Sequence, residues 1–220
     1  MPKPFRSLIC VLLLCFATSG HTDTTLEVAV QSPAGSGTQT FHVIGQQLRT
    51  DIQLGLTRSS VLYDASTDQL TLIDHQEQAF VRIAPEQAAR LGQQLTPDQA
   101  TPPELVDTGQ VETLGNRVNC RVYQVYRGER LVRETCLADF QHLGLTPEEY
   151  RVFSGLLTAL ARMAGNSPPD TLRPAGTIPL RTVDYDSTGQ SEVTELRSVK
   201  RGTGGVSFQV PRGYVEESPF

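Results

Sequence analysis

Four cysteines carry the most definite chemistry in this 220-residue chain, and their positions divide them into two pairs. Cys10 and Cys15 lie in an apolar run near the N-terminus, whereas Cys120 and Cys136 lie on either side of a short connector that contains Gly128. The β-favouring runs on both sides of that glycine predict an antiparallel hairpin. A hairpin centred on Gly128 would place Cys120 directly opposite Cys136, at a separation that suits a disulfide.

The pair Cys120 and Cys136 has two interpretations. A structural disulfide that closes a loop of about 15 residues contributes on the order of 3 kcal/mol. A redox-active pair is the alternative, but the chain lacks the Cys-x-x-Cys spacing that lowers the pKa of a thiol. The sequence therefore predicts a structural disulfide.

Other residue types with catalytic or metal-binding potential show no organised pattern. None of the four histidines stands at a metal-ligand spacing from another. Ser59-Ser60 lacks the context of a nucleophile elbow, and the glycine-rich stretch 202–205 lacks the Lys-Ser/Thr of a phosphate loop. We therefore predict no catalytic residues, no metal site and no cofactor, which argues against an enzyme.

Arginines concentrate on the predicted hairpin of a protein whose net charge is −5. Arg121, Arg130 and Arg133 are candidate contacts for an anion, such as a lipid phosphate or an acidic partner, because the guanidinium fork matches such groups. The alternative is a solvated edge hairpin whose charges discourage edge-to-edge pairing. The absence of a basic excess argues against nucleic acid as a partner.

The N-terminus has the charged, apolar, small-residue order of a secretory signal. Lys3 and Arg6 precede ten apolar residues at 8–17, a run too short for an ordinary transmembrane helix. We predict that residues 1–20 are a signal peptide and that residues 21–220 form one periplasmic domain, which is not an integral membrane protein after cleavage. An uncleaved N-terminal anchor is the alternative. Cleavage would change the net charge from −5 to −7 and leave two cysteines, a number typical of one disulfide in an exported chain.

Short alternating runs separated by turn residues predict antiparallel strands rather than βαβ units, because they recur about every ten residues. A modest helix is predicted at 85–95. The predicted strands outside the cysteine hairpin are 26–30, 40–44, 48–54, 60–63, 69–74, 79–83, 177–184, 192–200 and 206–210.

A second helix has the clearest start signal in the chain. Thr146-Pro147-Glu148-Glu149 combines a hydroxyl cap, proline at the first helical position and glutamate three residues after the cap. The apolar stripe that follows must cover another element. The predicted fold class is therefore α+β, with a curved antiparallel sheet and helices packed on its concave side.

Several weak motifs, in order along nearly the whole mature chain, together carry a resemblance to a known superfamily. They are the segments 41–51, 61–64, 70–74 and 78–83, the cysteine hairpin, and the ending Phe-x-Val-Pro-x-Gly-Tyr at 208–214. On these motifs the chain resembles the LolA-like superfamily of half-open β-barrel proteins of the bacterial envelope, and most closely an exported family of unknown function. The resemblance implies a barrel curled round an apolar cavity, with helices across its open side.

In the carrier and sensor branches of that superfamily the cavity holds lipid acyl chains, so the resemblance implies a non-catalytic binding module or carrier for a hydrophobic ligand. Each buried methylene contributes about 0.8 kcal/mol, so such a site needs no special side chain. The residues that we predict to line it are Val43, Ile52, Leu54, Leu70, Leu72, Phe153, Leu157 and Leu160.

One alternative to this ligand site stays open at the level of the sequence. The same apolar residues equally suit a filled core with no ligand. The protein would then be an envelope interaction or regulatory module that binds a protein partner. The chain has no tryptophan, and the specific activity of the lipoprotein carrier is not transferred to it.

Overall fold

A computed structural model describes residues 23–95, 102–114, 117–165, 173–187, 189–202 and 204–219. The predicted signal peptide, residues 1–20, lies outside the described residues. No helix in the described ranges is long and apolar enough to cross a lipid bilayer.

Two helices and twelve strands form the described part of the chain. Helix α1 spans Pro85–Leu95 and helix α2 spans Pro147–Met163, and a short 3-10 helix at Phe140–Leu143 precedes α2. The strands are β1 Thr24–Ser32, β2 Gly35–Ile44, β3 Gln47–Leu54, β4 Thr57–Asp64, β5 Gln69–Asp74, β6 Ala79–Ile83, β7 Glu104–Leu114, β8 Val118–Arg127, β9 Arg130–Asp139, β10 Thr177–Asp186, β11 Gly189–Arg201 and β12 Val215–Glu216.

The strands belong to one curved sheet that contains two meanders. The first meander is β1–β6 and the second is β7–β11. From edge to edge the order is β12-β6-β5-β4-β3-β2-β1-β11-β10-β9-β8-β7. Neighbours are antiparallel except for β12, whose Val215 and Glu216 pair in parallel with Ala79 and Phe80 of β6. Because β12 and β7 are edges that do not meet, the sheet curls without closing. The predicted α+β class and half-open barrel are confirmed.

One predicted strand is absent from the structure, and two of its strands, β7 and β12, were not predicted. Residues 206–210 form no strand, although Val206, Phe208 and Val210 alternate with exposed residues. This segment lies across the sheet, where the Arg49 side chain donates to the Ser207 carbonyl at 2.7 Å, so its alternation reflects contact with the sheet face rather than strand pairing. Strand β7 was not predicted because it is an edge strand with mostly exposed, polar positions, which shows no apolar alternation.

The predicted N-terminus of α2 is confirmed, and it also fastens the helix to the sheet. Thr146 and Glu149 form a reciprocal capping box. The same Glu149 carboxylate accepts hydrogen bonds from Thr24 of β1 and Arg201 of β11. Burial alone would raise the pKa of Glu149, but the hydrogen bonds from Thr146, Thr24 and Arg201 outweigh it and lower the pKa. The carboxylate therefore holds one end of α2 against two strands.

The other end of α2 is held by the first meander and by α1. Arg162 pairs with Asp68 in the β4–β5 turn at 2.7 Å, and Asp68 also accepts a hydrogen bond from Tyr63. Helix α1 approaches so closely that a Cβ added to Gly92 would lie 2.1 Å from the Arg162 carbonyl oxygen. Glycine at this position therefore permits direct backbone contact between the two helices.

Candidate functional site

The predicted ligand-lining residues separate into three groups, of which the first is filled core. Val43 and Leu70 are each 1% exposed, and Phe153 of α2 is 5% exposed. The Phe153 ring packs edge-on against Phe41 of β2, with centroids 5.2 Å apart. Leu156, the next large residue on this side of α2, is 0% exposed. Here α2 and the first meander pack directly against each other.

The second group lies at the margin of that core. Leu72 is half-buried and packs against the core cluster. Ile52 and Leu54 are also half-buried, but they lie towards the end of β3, beyond the core residue Leu48. None of these three residues lines the cleft described next.

The third group, Leu157 and Leu160, is half-buried and packs against the core cluster, and it also lines a cleft of about 580 Å³ between α2 and the second meander. We call it the α2 cleft. Its lining residues are Pro103, Val125, Arg127, Arg130, Val132, Arg133, Thr135, Leu137, Leu157, Leu160, Ala161, Ala164, Arg173, Pro179, Thr182 and Asp184.

Most of the lining is apolar because two regular elements present matching faces to the cleft. Leu157, Leu160, Ala161 and Ala164 recur at helical spacing, so they form one stripe along α2. The facing wall comes from the central strands β8, β9 and β10, each hydrogen-bonded to a neighbour on both sides. Most of the polar backbone of both walls is therefore already paired, and side chains dominate the surface that the cleft offers.

Arginines line the cleft beside these apolar walls. The predicted residues Arg130 and Arg133 are both in the lining, whereas Arg121 is not: it is exposed on β8 and pairs with Asp107 of β7 at 3.0 Å. The prediction missed Arg127 and Arg173. The concentration of arginines around the hairpin pointed to Arg127, but no local pattern marks Arg173, which reaches the cleft through tertiary structure.

The β8–β9 hairpin, which carries Arg127, Arg130 and Arg133, is closed by the disulfide Cys120–Cys136, as predicted, with Cα atoms 5.3 Å apart. The expected register is wrong. Cys136 pairs with Val122, so the bridge runs diagonally to Cys120. A bulge at Val125/Tyr126 and a two-residue turn at 128–129 shift the pairing away from a hairpin centred on Gly128.

A polar network lies on the opposite face of the first meander, turned away from α2. We call it the outer network. Asp51 accepts bidentate hydrogen bonds from Arg49 and a 2.5 Å hydrogen bond from Ser60. Ser60 lies 2.7 Å from Nε2 of His75, whose Nδ1 lies 2.9 Å from the Tyr214 hydroxyl. The network therefore connects the sheet to the C-terminal segment.

Serine, histidine and aspartate are the residue types of a hydrolase triad, but the outer network joins them in a different order. In a triad the histidine takes the serine proton and the aspartate orients the histidine. Here the Ser60 hydroxyl donates a hydrogen bond directly to Asp51, so Nε2–H of His75 donates to Ser60. In the neutral ring Nδ1 then accepts a hydrogen bond from the Tyr214 hydroxyl. Ser60 is also only 1% exposed. This geometry does not activate the serine.

The outer network is expected to make folding stability dependent on pH. Burial lowers the pKa of His75, and Arg49 and Arg58 lower it further. The Nε2 of His42 lies 3.7 Å from the Asp51 carboxylate of the network, and burial lowers the pKa of His42 against an opposing effect of that carboxylate. Below pH about 6.5 the unfolded chain takes up protons that the folded chain excludes, so stability falls as the pH decreases.

Urea unfolding of the wild type at pH 7.5 and pH 5.0 should show this loss, and His75→Gln should reduce the difference between the two pH values. His142→Gln is the matched control, because His142 is exposed beside α2 and outside the network. If His75→Gln has the same pH dependence of stability as the wild type, then His75 is not a source of that dependence.

No group of three or more His, Cys, Asp or Glu residues that could hold a metal ion occurs in the part of the chain that the structure describes.

A family model described as a domain of unknown function, DUF4412, matches residues 24–214. No curated protein matches the chain. Among solved structures, an uncharacterized conserved protein from Thermus thermophilus is similar with a TM-score of 0.51 and 10% sequence identity, over 90% of this chain and 91% of that chain. At this identity the similarity shows a shared fold.

Two further solved structures have lower similarity. The Pseudomonas aeruginosa MucA/MucB complex gives a TM-score of 0.44 and 12% identity, over 87% of this chain and 56% of that chain. PNGF-II gives a TM-score of 0.44 and 9% identity, over 90% of this chain and 31% of that chain. These values are too low to support a common function.

Proposed function

We propose a non-catalytic binding role for this chain, which belongs to the DUF4412 family of domains of unknown function and has a LolA-like fold. In this role the α2 cleft takes up the apolar chain of a lipid or similar hydrophobic ligand. The observation that carries this proposal is the division of α2 into two parts. Phe153 and Leu156 are packed into the core, whereas Leu157 and Leu160 border an unfilled cleft of about 580 Å³. That volume lies in the range of small-molecule sites.

Physical chemistry supports an apolar occupant. Burying apolar surface contributes about 25 cal/mol per Å², so an alkyl chain between the α2 stripe and the β8–β10 wall gains affinity without specific hydrogen bonds. Because most of the backbone of both walls is already paired, an alkyl chain in the cleft covers few unsatisfied polar groups. An apolar chain in the cleft would extend the hydrophobic core that contains Phe153.

A binding role also suits the chemistry of the polar residues. Two groups of described residues combine a hydroxyl, a histidine and a carboxylate. The outer network is buried and joined in an order that does not activate Ser60. In the other group His42 lies between Thr25 and Asp51, but the Thr25 hydroxyl donates to the Gly202 carbonyl and not to the histidine. The outer network faces away from the α2 cleft. The disulfide suits an oxidising compartment, which agrees with the proposed export of residues 21–220 to the periplasm after signal cleavage.

Ligand uptake is tested on the full chain produced with its own N-terminus and purified without detergent. Native mass spectrometry should detect a retained small molecule. The neutral dye N-phenyl-1-naphthylamine should become fluorescent on binding, and Leu160→Gln should weaken the dye affinity about tenfold, because a polar amide replaces apolar contact area in the cleft.

Leu56→Gln is the matched control, since Leu56 is a leucine that is 93% exposed and distant from α2 along the first meander. The control should bind dye as the wild type does. The proposal would be refuted by a folded wild-type protein that retains no small molecule and does not increase the fluorescence of the dye. Loss of dye binding in Leu56→Gln as well would show that the signal does not come from the cleft.

A further inference from the structure

The lining of the α2 cleft has a charge opposite to that of the protein. It contains four arginines and one aspartate, although the whole chain has a net charge of −5. Charged groups beside a low-dielectric wall act more strongly than the same groups in open solvent. From this asymmetry we propose, resting on the proposed function, that the cleft selects amphiphiles with an anionic head group, which Arg127 and Arg130 hold at the β8–β9 turn.

The four arginines differ in how much of their charge is already matched. Arg133 pairs with Asp184 at 2.6 Å. The guanidinium of Arg173 donates to Ser154 of α2. Within the described residues, no carboxylate forms an ion pair with Arg127 or Arg130, which are cross-strand neighbours next to the turn. These two exposed guanidinium groups are therefore the ones that can take an oxyanion.

The polarity of the lining changes along β9, which gives the ligand a direction. Arg130 and Arg133 lie near the turn, followed by Thr135 and then by the buried Leu137. At 3.3 Å per residue, the distance from Arg130 to Leu137 along the strand is roughly 23 Å. A molecule that lies along β9 thus has its charged end beside the turn and its apolar end beside Leu137.

An amphiphile fits this cleft better than an acidic peptide does. A peptide must satisfy its own backbone N–H and C=O groups when it is buried, usually by pairing with an open strand edge. The wall of the cleft consists of β8, β9 and β10, which are central strands with both neighbours in place, and α2 pairs its backbone internally up to its last turn. An alkyl chain needs no such partners.

The test is a competition assay with N-phenyl-1-naphthylamine bound to the full chain, using competitors with the same dodecyl chain below their micelle concentrations. Dodecanoate and dodecyl phosphate should displace the dye at about tenfold lower concentration than dodecyl maltoside, which is neutral. The preference should shrink between 0.15 M and 1 M salt, because the screening length falls from about 8 Å to about 3 Å.

The double variant Arg127→Gln/Arg130→Gln should lose most of the preference and keep the affinity for dodecyl maltoside. The control Arg58→Gln/Arg121→Gln removes the same charge from two exposed arginines outside the cleft, so it should keep the preference. Equal displacement by anionic and neutral competitors in the wild type would overturn the head-group inference. So would an equal loss of preference in the two double variants.

Two further outcomes separate this inference from the proposed function. If the dye binds but the head group has no effect, only the anion inference fails, whereas a folded protein that neither binds the dye nor retains a small molecule refutes the proposed function itself. A ten-residue peptide of alternating leucine and glutamate that displaces the dye at lower concentration than dodecanoate would overturn the lipid assignment in favour of an acidic peptide.

Discussion

Replacing Leu156 by alanine is expected to lower the free energy of unfolding by about 2–5 kcal/mol. Leu156 is 0% exposed on the side of α2 that packs into the core, together with Phe153. Truncation removes apolar contacts and leaves a cavity. The cavity cannot close, because α2 is held in place by the first meander and by α1. Urea unfolding followed by circular dichroism measures the change, with the slope of the transition checked against the wild type.

The matched variant is Leu160→Ala, one turn further along the same helix. Leu160 is half-buried and lines the α2 cleft, so its truncation enlarges an existing space and should change stability by about 1 kcal/mol or less. A loss at Leu160 as large as that at Leu156 would show that the cleft is part of the packed core, and the proposed function would fail with it.

Removing the disulfide with Cys120→Ala/Cys136→Ala is expected to lower the free energy of unfolding by about 3 kcal/mol. The bridge joins residues 16 apart in sequence, so it restricts the unfolded chain, and both cysteines are buried at 2% and 0% exposure. Loss of the bridge should also loosen the β8–β9 hairpin, which carries Arg127 and Arg130. Unfolding of the wild type with and without a reductant should give a similar difference.

The state of the bridge is checked by intact mass after alkylation in denaturant. Without reductant, Cys120 and Cys136 should take no label, and with reductant both should take one. Labelling of both cysteines without reductant would contradict the bridge. A double variant as stable as the wild type would show that the bridge contributes little to the folded state.

The features that the sequence predicted correctly depend on local interactions. The start of α2 follows from Thr146, Pro147 and Glu149, because capping and the fixed backbone angle of proline act within one turn. Most strands follow from alternation, since burial of one face imposes a period of two. The curved antiparallel sheet of the α+β class then follows from short connections and one amphipathic helix, whereas the half-open barrel was implied by the resemblance to the LolA-like superfamily.

The features that the sequence did not predict depend on how distant elements meet. The register of the cysteine hairpin differs from the predicted register because of a bulge at Val125/Tyr126. Residues 206–210 lie across the sheet rather than beside an edge. Neither feature leaves a periodic signal. The outer network is a similar case, because Ser60, His75 and Tyr214 come together only when the C-terminal segment crosses the meander.

The sequence by itself determined that α2 has an apolar face and that the hairpin is rich in arginine, because composition and helical period are local properties. Only the tertiary structure decided that this face is divided, with Phe153 and Leu156 in the core and Leu157 and Leu160 beside a cleft. The curvature of the unclosed sheet sets this division, because β8–β10 do not meet α2 as closely as the first meander does. Contact between elements, and not the apolar character of a residue, separates filled core from candidate binding site.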